Sequence, residues 1–195
     1  MTGRELVLNC EKMLNANTVY MWGCYGQRLT ADLIERKSKQ YPNRFSFARK
    51  DYLQILSDSG EWYACDCAGL IKNYFWGGFG NKLKYSALND YGTESMKKAS
   101  KRSGKISQMP EIPGIVVYKK GHIGVYVGNG DVIECTLGSR GDGVVLSKLT
   151  AAGWTDWFFA PDVQYEDDRP VKKIYVKPKI KDIFKKLITR RDKLK

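Results

Sequence analysis

Three side chains in this 195-residue sequence combine the residue types and placement needed for nucleophilic chemistry: Cys67, His122 and Glu134. Cys67 follows Asp66 at the point where a polar loop meets the apolar run Cys67–Trp76. In that run Leu70, Ile71, Tyr74 and Phe75 recur at the spacing of one helix face. A cysteine in the first turn of such a helix faces unpaired N–H groups and the positive end of the helix dipole. Both favour the thiolate, which is the nucleophile, so a lowered thiol pKa is expected. The bland alternative is a small buried hydrophobe, the role of most free cysteines.

His122 is the sole histidine, so any step that needs an imidazole must use it. It opens a segment whose alternation sets Ile123, Val125 and Val127 on one face and His122, Gly124 and Tyr126 on the other. The next segment sets Ile133 and Cys135 against Val132, Glu134 and Thr136. The Gly128-Asn129-Gly130 stretch between them is a hairpin signal. A two-residue loop would oppose Val125 to Glu134, apolar against charged. A three-residue loop pairs Val125 with Ile133 and Gly124 with Glu134, which buries the apolar face and brings Glu134 diagonally beside His122. A carboxylate there can accept from one ring nitrogen and leave the other free to activate a thiol.

The elements that must position these groups fall into two runs. The first is helical: a helix over about residues 3–16, a second capped by Thr30 and ending before Tyr41-Pro42, a short one over 51–57, the Cys67 helix, and one over 93–102. Between the first two lies a loop, Tyr20-Met21-Trp22-Gly23-Cys24-Tyr25-Gly26. From Pro113 onward short β-branched or aromatic segments alternate with turns, giving strands over 115–118, 123–127, 132–136, 143–146 and 157–160. Helices followed by strands predict an α+β architecture, with N-terminal helices packed on a small antiparallel sheet.

Charge divides the chain further. Residues 169–195 hold twelve Lys/Arg against two Asp, a net of +10, so the preceding 168 residues carry only +2 of the total +12. The whole-chain charge therefore describes the tail rather than a site. Two units are expected: a catalytic domain over 1–168 and a basic amphipathic helix over 169–195, with Ile180, Ile183, Phe184, Leu187, Ile188 and Leu194 on its apolar side. Such a helix suits anionic polymers or a membrane surface, here through residues 170–195. The first twenty residues lack the layout of a secretory signal, so a cytoplasmic protein is expected. The five cysteines are odd in number and spaced unlike a disulfide framework.

Several motifs resemble the NlpC-type bacterial cell-wall cysteine peptidases. Asp66-Cys67-Ala68-Gly69-Leu70 resembles their D-C-S-G-L nucleophile motif, and Tyr20-Met21-Trp22-Gly23-Cys24 their Y-x-W-G-G. Pro113-Gly114-Ile115-Val116-Val117 and His122-Ile123-Gly124-Val125-Tyr126-Val127-Gly128 resemble the G-D-x-V and H-x-G-I-Y-x-G strands. The resemblance spans roughly residues 3–162 and implies a papain-like fold hydrolysing amide bonds in peptidoglycan stem peptides, with no metal or organic cofactor. It implies Cys67 as nucleophile, His122 as base and then acid, and Glu134 as its orienter. Tyr20 would line the oxyanion site and Asp66 would help bind the substrate's amino end. Trp22, Trp62 and Tyr126 join Asp66 as substrate-binding candidates. Glu134 stands where the family most often has His, Ala68 replaces Ser, and Cys24 replaces the second Gly. The bond cut, by an endopeptidase or an N-acetylmuramoyl-L-alanine amidase, stays open. The overall flavour resembles phage or prophage lysins, which stay in the cytoplasm until released to the wall.

Two other classes compete with this reading. A zinc site from Cys24, Cys65, Cys67, Cys135 and His122 lacks a C-x₂-C pair. A non-catalytic wall- or nucleic-acid-binding module would have to rely on the tail, because the near-neutral domain carries no nucleic-acid motif.

Overall fold

The computed structural model describes residues 1–165. The basic tail expected over 169–195 lies outside the described residues. Helix α1 (Gly3–Asn15) starts at a capping box in which Thr2 and Glu5 bond each other's backbone N–H. Strands β1 (Thr18–Tyr20) and β2 (Tyr25–Arg28) follow, then α2 (Ala31–Gln40), a 3-10 turn (Pro42–Arg44) and α3 (Phe47–Ser59). Thr30 caps α2 as expected, its Oγ1 accepting from Leu33 N at 3.1 Å. Strand β3 (Tyr63–Cys65) leads into α4 (Cys67–Phe75), and α5 (Thr93–Ala99) ends three residues earlier than its predicted limit. The remaining strands are β4 (Ser103–Lys105), β5 (Val116–Lys119), β6 (His122–Gly128), β7 (Asp131–Gly138), β8 (Gly141–Lys148) and β9 (Asp156–Phe158).

The principal sheet has six strands in the order β4-β9-β5-β6-β7-β8, all neighbours antiparallel. The β6–β7 register pairs Val125 with Ile133 and Gly124 with Glu134, the pairing that the apolar alternation requires. A second sheet, order β1-β3-β2, was not legible in the sequence. Its strands of three or four residues are too short to display an alternation.

Three apolar clusters hold the layers together. Helices α1 and α4 bury Leu6, Cys10, Met13, Leu70 and Ile71 against Val116, Ile123, Val125, Ile133 and Cys135 on one face of the principal sheet. The opposite face packs Ile115, Val117, Tyr126 and Val132 with Trp154 and Trp157. The α2–α3 excursion has its own cluster, Leu29, Leu33, Ile34, Leu53 and Leu56, seated on Val19 and Ala64.

Gly69 lets α4 approach the second sheet closely. A Cβ there would lie 1.9 Å from the carbonyl oxygen of Cys24. The first and last segments of the described residues also meet. Gly3 N donates to Gln164 O at 2.9 Å, and Gln164 N donates to Met1 O at 3.0 Å.

Candidate active site

Asp66 builds the start of α4. Its Oδ1 accepts from Gly69 N at 2.6 Å as the N-cap, and its Oδ2 accepts from Gly23 N at 2.7 Å. One buried carboxylate thus fixes both the helix end and the Trp22-Gly23 loop. Burial raises its pKa, against the hydrogen bonds from Gly69 and Gly23 and the charge of Lys72.

Cys67 is the first residue of α4 and is only 5 % exposed. Its thiol is within reach of the backbone N–H groups of Ala68 and of Ile123, the residue after His122. The sequence alone led us to expect a depressed thiol pKa, and the structure corrects this. Burial, followed by the negative charge of Asp66, pushes the thiol up to about 12 and outweighs the two N–H groups. The resting Cys67 is therefore a thiol, and a thiolate has to form by proton transfer within the site.

His122 opens β6, and its Nε2 lies 2.6 Å from Glu134 Oε2 on the adjacent strand. Glu134 is fully buried and accepts three further hydrogen bonds. Arg140 Nε reaches Oε1 at 2.8 Å, Arg140 Nη2 reaches Oε2 at 3.0 Å, and Ser147 Oγ donates to Oε1 at 2.6 Å. Burial alone would raise the Glu134 pKa. The donors from His122, Arg140 and Ser147 reverse that and bring it down to about 2. The carboxylate is thus ionised throughout the neutral range, which favours the tautomer with the proton on Nε2 and leaves Nδ1 as an acceptor. The imidazole is also covered on one face: Trp154 stacks on it with centroids 5.3 Å apart and planes 10° from parallel.

Tyr20 ends β1 beside this group. Burial first, then the electrostatic influence of Cys67 and Asp66, drives its hydroxyl pKa up, so it stays a protonated donor. Its backbone is clamped from the α3 side. Tyr20 N donates to Asp142 Oδ1 at 3.0 Å, Arg49 Nη2 donates to Tyr20 O, and Arg49 pairs with both oxygens of Asp142 at 2.6 and 2.9 Å.

Tyr20, Trp22 and His122 share a cleft of about 400 Å³ with Arg44, Arg49 and Leu137. Trp62 and Tyr126 lie elsewhere. Trp62 packs on the α2–α3 cluster, its Nε1 donating to Ser59 Oγ at 3.2 Å. Tyr126 is fully buried on the far face of the sheet, its hydroxyl bonded to Glu111 and accepting from Gly130 N.

Sequence reasoning missed Arg140, Ser147, Trp154 and the Arg49–Asp142 clamp. Ser147 was within reach of that reasoning. It sits two residues beyond Val145, the partner of Glu134, on the same face of β8, but the predicted strand stops at 146, two residues before β8 ends. Among the described residues no group of three His, Cys, Asp or Glu side chains is placed to hold a metal ion, and all five cysteines are free thiols.

The α+β arrangement, with N-terminal helices laid on antiparallel sheets, is that of a papain-like core. The chain belongs to the NlpC/P60 family of papain-like peptidoglycan hydrolases, whose family model matches residues 44–163. Among solved structures it is similar to the P60 domain of an antigen from M. avium subspecies paratuberculosis, with 21 % identity and a TM-score of 0.45 over 84 % of this chain and 98 % of that one. It is also similar to the NlpC/p60 domain of the peptidoglycan hydrolase SagA, with 13 % identity and a TM-score of 0.40 over 81 % and 98 % of the two chains. For the peptidoglycan hydrolase RipB of Mycobacterium tuberculosis the values are 18 % and 0.45 over 84 % and 67 %. No curated protein matches the chain.

Proposed function

We propose that the protein hydrolyses amide bonds in the stem peptides of peptidoglycan by a thiol mechanism using Cys67, His122 and Glu134. The observation that carries the reading is the 2.6 Å contact between His122 and the fourfold-bonded Glu134, on strands that pack against the helix starting at Cys67. Nδ1 of His122 takes the thiol proton as Sγ attacks the substrate carbonyl carbon. The Cys67 N–H, unpaired in the first turn, and the Tyr20 hydroxyl donate to the oxyanion. His122 returns the proton to the departing amine. A water molecule then gives its proton to His122 and attacks the acyl-enzyme, releasing the acid and restoring the thiol.

The high thiol pKa fits a site that generates its thiolate only when imidazole and substrate are in place. Asp66 keeps its proposed role at the substrate's amino end, although two backbone N–H groups already occupy it. Trp22 is the aromatic candidate that lines the cleft. A phage or prophage lysin, acting at the wall after release from the cytoplasm, is the biological setting suggested by the motifs. Residues 170–195 are proposed to attach it to anionic wall polymers or a membrane surface.

Digestion of purified Gram-positive peptidoglycan by wild type and Cys67→Ala, with products read by mass spectrometry under reducing conditions, tests this. Fragments released by wild type alone support the mechanism, and their masses tell endopeptidase from amidase. Equal release by both proteins, or by neither, overturns it.

A further inference from the structure

One wall of the cleft comes from the α2–α3 excursion, which contributes two arginines with very different commitments. Arg49 is spent on Asp142 and the Tyr20 carbonyl. Arg44 meets no carboxylate among the described residues. Instead its guanidinium lies 4.0 Å above the ring of Trp22. A cation–π contact of this kind engages the charge without using the N–H donors, which meet no acceptor among the described residues and can take a planar anion.

The backbone beneath Arg44 is held in place. It closes the 3-10 turn Pro42–Arg44, with Arg44 N donating to Tyr41 O at 2.9 Å. The Tyr41 ring sits against Gly23, whose φ is +74°. A Cβ at Gly23 would stand 2.5 Å from Tyr41 Cε2, so only glycine admits the ring. Gly23 N in turn is bonded to Asp66, the cap of the Cys67 helix. A continuous chain of contacts therefore ties the exposed arginine to the helix that carries the thiol. Its charge is felt at Tyr20, where it opposes the upward shift of the hydroxyl pKa.

We propose that Arg44 is the anion-reading residue of the cleft, pairing with a carboxylate of the bound peptide so that stem peptides with free carboxylates are preferred over their amidated forms. The inference rests on the peptide-hydrolase reading for the identity of the ligand. A cleft of about 400 Å³ accommodates a short peptide segment. Stem peptides carry carboxylates close to their amide bonds, and a guanidinium held over an indole suits one of them in bidentate geometry.

The test uses the full chain with Cys67→Ala, so that binding is read without turnover. Calorimetric titration compares a stem tetrapeptide bearing free carboxylates with the same peptide fully amidated, with and without Arg44→Gln. The free-acid peptide is expected to bind roughly 10- to 100-fold more tightly, and Arg44→Gln to abolish that ratio. Arg44→Lys should restore part of it, since the charge returns without the fork. A thermal midpoint unchanged by Arg44→Gln accompanies the expected result, because the residue is exposed. An acid-to-amide ratio insensitive to Arg44→Gln, or no binding of either peptide at millimolar concentration, overturns the inference. Turnover by wild type is measured separately. If neither peptide is cleaved while the ratio still follows Arg44, the hydrolase reading falls and the anion site stands.

Discussion

Glu134 concentrates more of the site's electrostatics than any other single residue. A buried carboxylate is costly unless every lone pair is used, and here His122, Arg140 and Ser147 supply four donors. Its pKa is about 2 in the folded protein against an ordinary 4.5. Between those values the unfolded chain binds the extra proton, so folding stability rises with pH across that window. The Glu134 contribution is complete above about pH 4.5 and is lost as pH falls through about 2. Chemical denaturation at pH 7, 4 and 3 should show the wild type weakening toward acid, with Glu134→Gln less stable at pH 7 and visibly flatter. The same substitution should lower kcat on the order of 100-fold, because an amide does not enforce the Nε2–H tautomer. The carboxylate's pairing with His122 was legible because period-two alternation and a Gly-Asn-Gly turn leave one register that buries the apolar face. Arg140 and Trp154 were not, because they arrive from a turn and a loop whose course no local periodicity encodes.

At the scale of elements, α4 depends on its cap and its first residue. Asp66 is at once cap, tether for the Trp22-Gly23 loop and a source of negative potential on Cys67. Asp66→Asn keeps an acceptor for the cap and removes the charge. The Cys67 thiol pKa should therefore fall, read as a shift to lower pH in the rate profile of iodoacetamide alkylation. The variant should also lose about 0.5–2 kcal/mol of stability from the weakened cap and tether. An unshifted alkylation profile would mean that burial alone sets the thiol. The helix itself was evident from its apolar spacing. Helix α3 was only half seen, since among its thirteen residues Leu53 and Leu56 alone are buried and Phe47 at its start is 88 % exposed. Its length is fixed by Ser46, whose Oγ caps Arg49 N at 3.1 Å, and by packing against α2.

For the whole molecule, the family match begins at residue 44, yet the segment before it is part of the same core. Leu6, Cys10 and Met13 are fully buried between α1, α4 and the principal sheet. Leu6→Ala should cost about 2–5 kcal/mol, seen as a lower midpoint in urea with an unchanged m value. A loss of a few tenths would mean that α1 is an accessory. The α+β order of the domain was readable from helices preceding strands. The second sheet was not, because β1, β2 and β3 find one another across the α2–α3 excursion, a tertiary event without a local signature.

The backbone bonds that join Met1 and Gly3 to Gln164 have a topological meaning as well. They bring residues 1–3 and residue 164 side by side, so the described backbone nearly closes on itself. Joining residue 164 to residue 1 by a short linker and opening the chain at an exposed turn would change the order in which it is read while leaving the strand pairings and the helix cap unaltered. The site depends on which surfaces meet, and the linear order of Cys67, His122 and Glu134 is one of several that would bring them together.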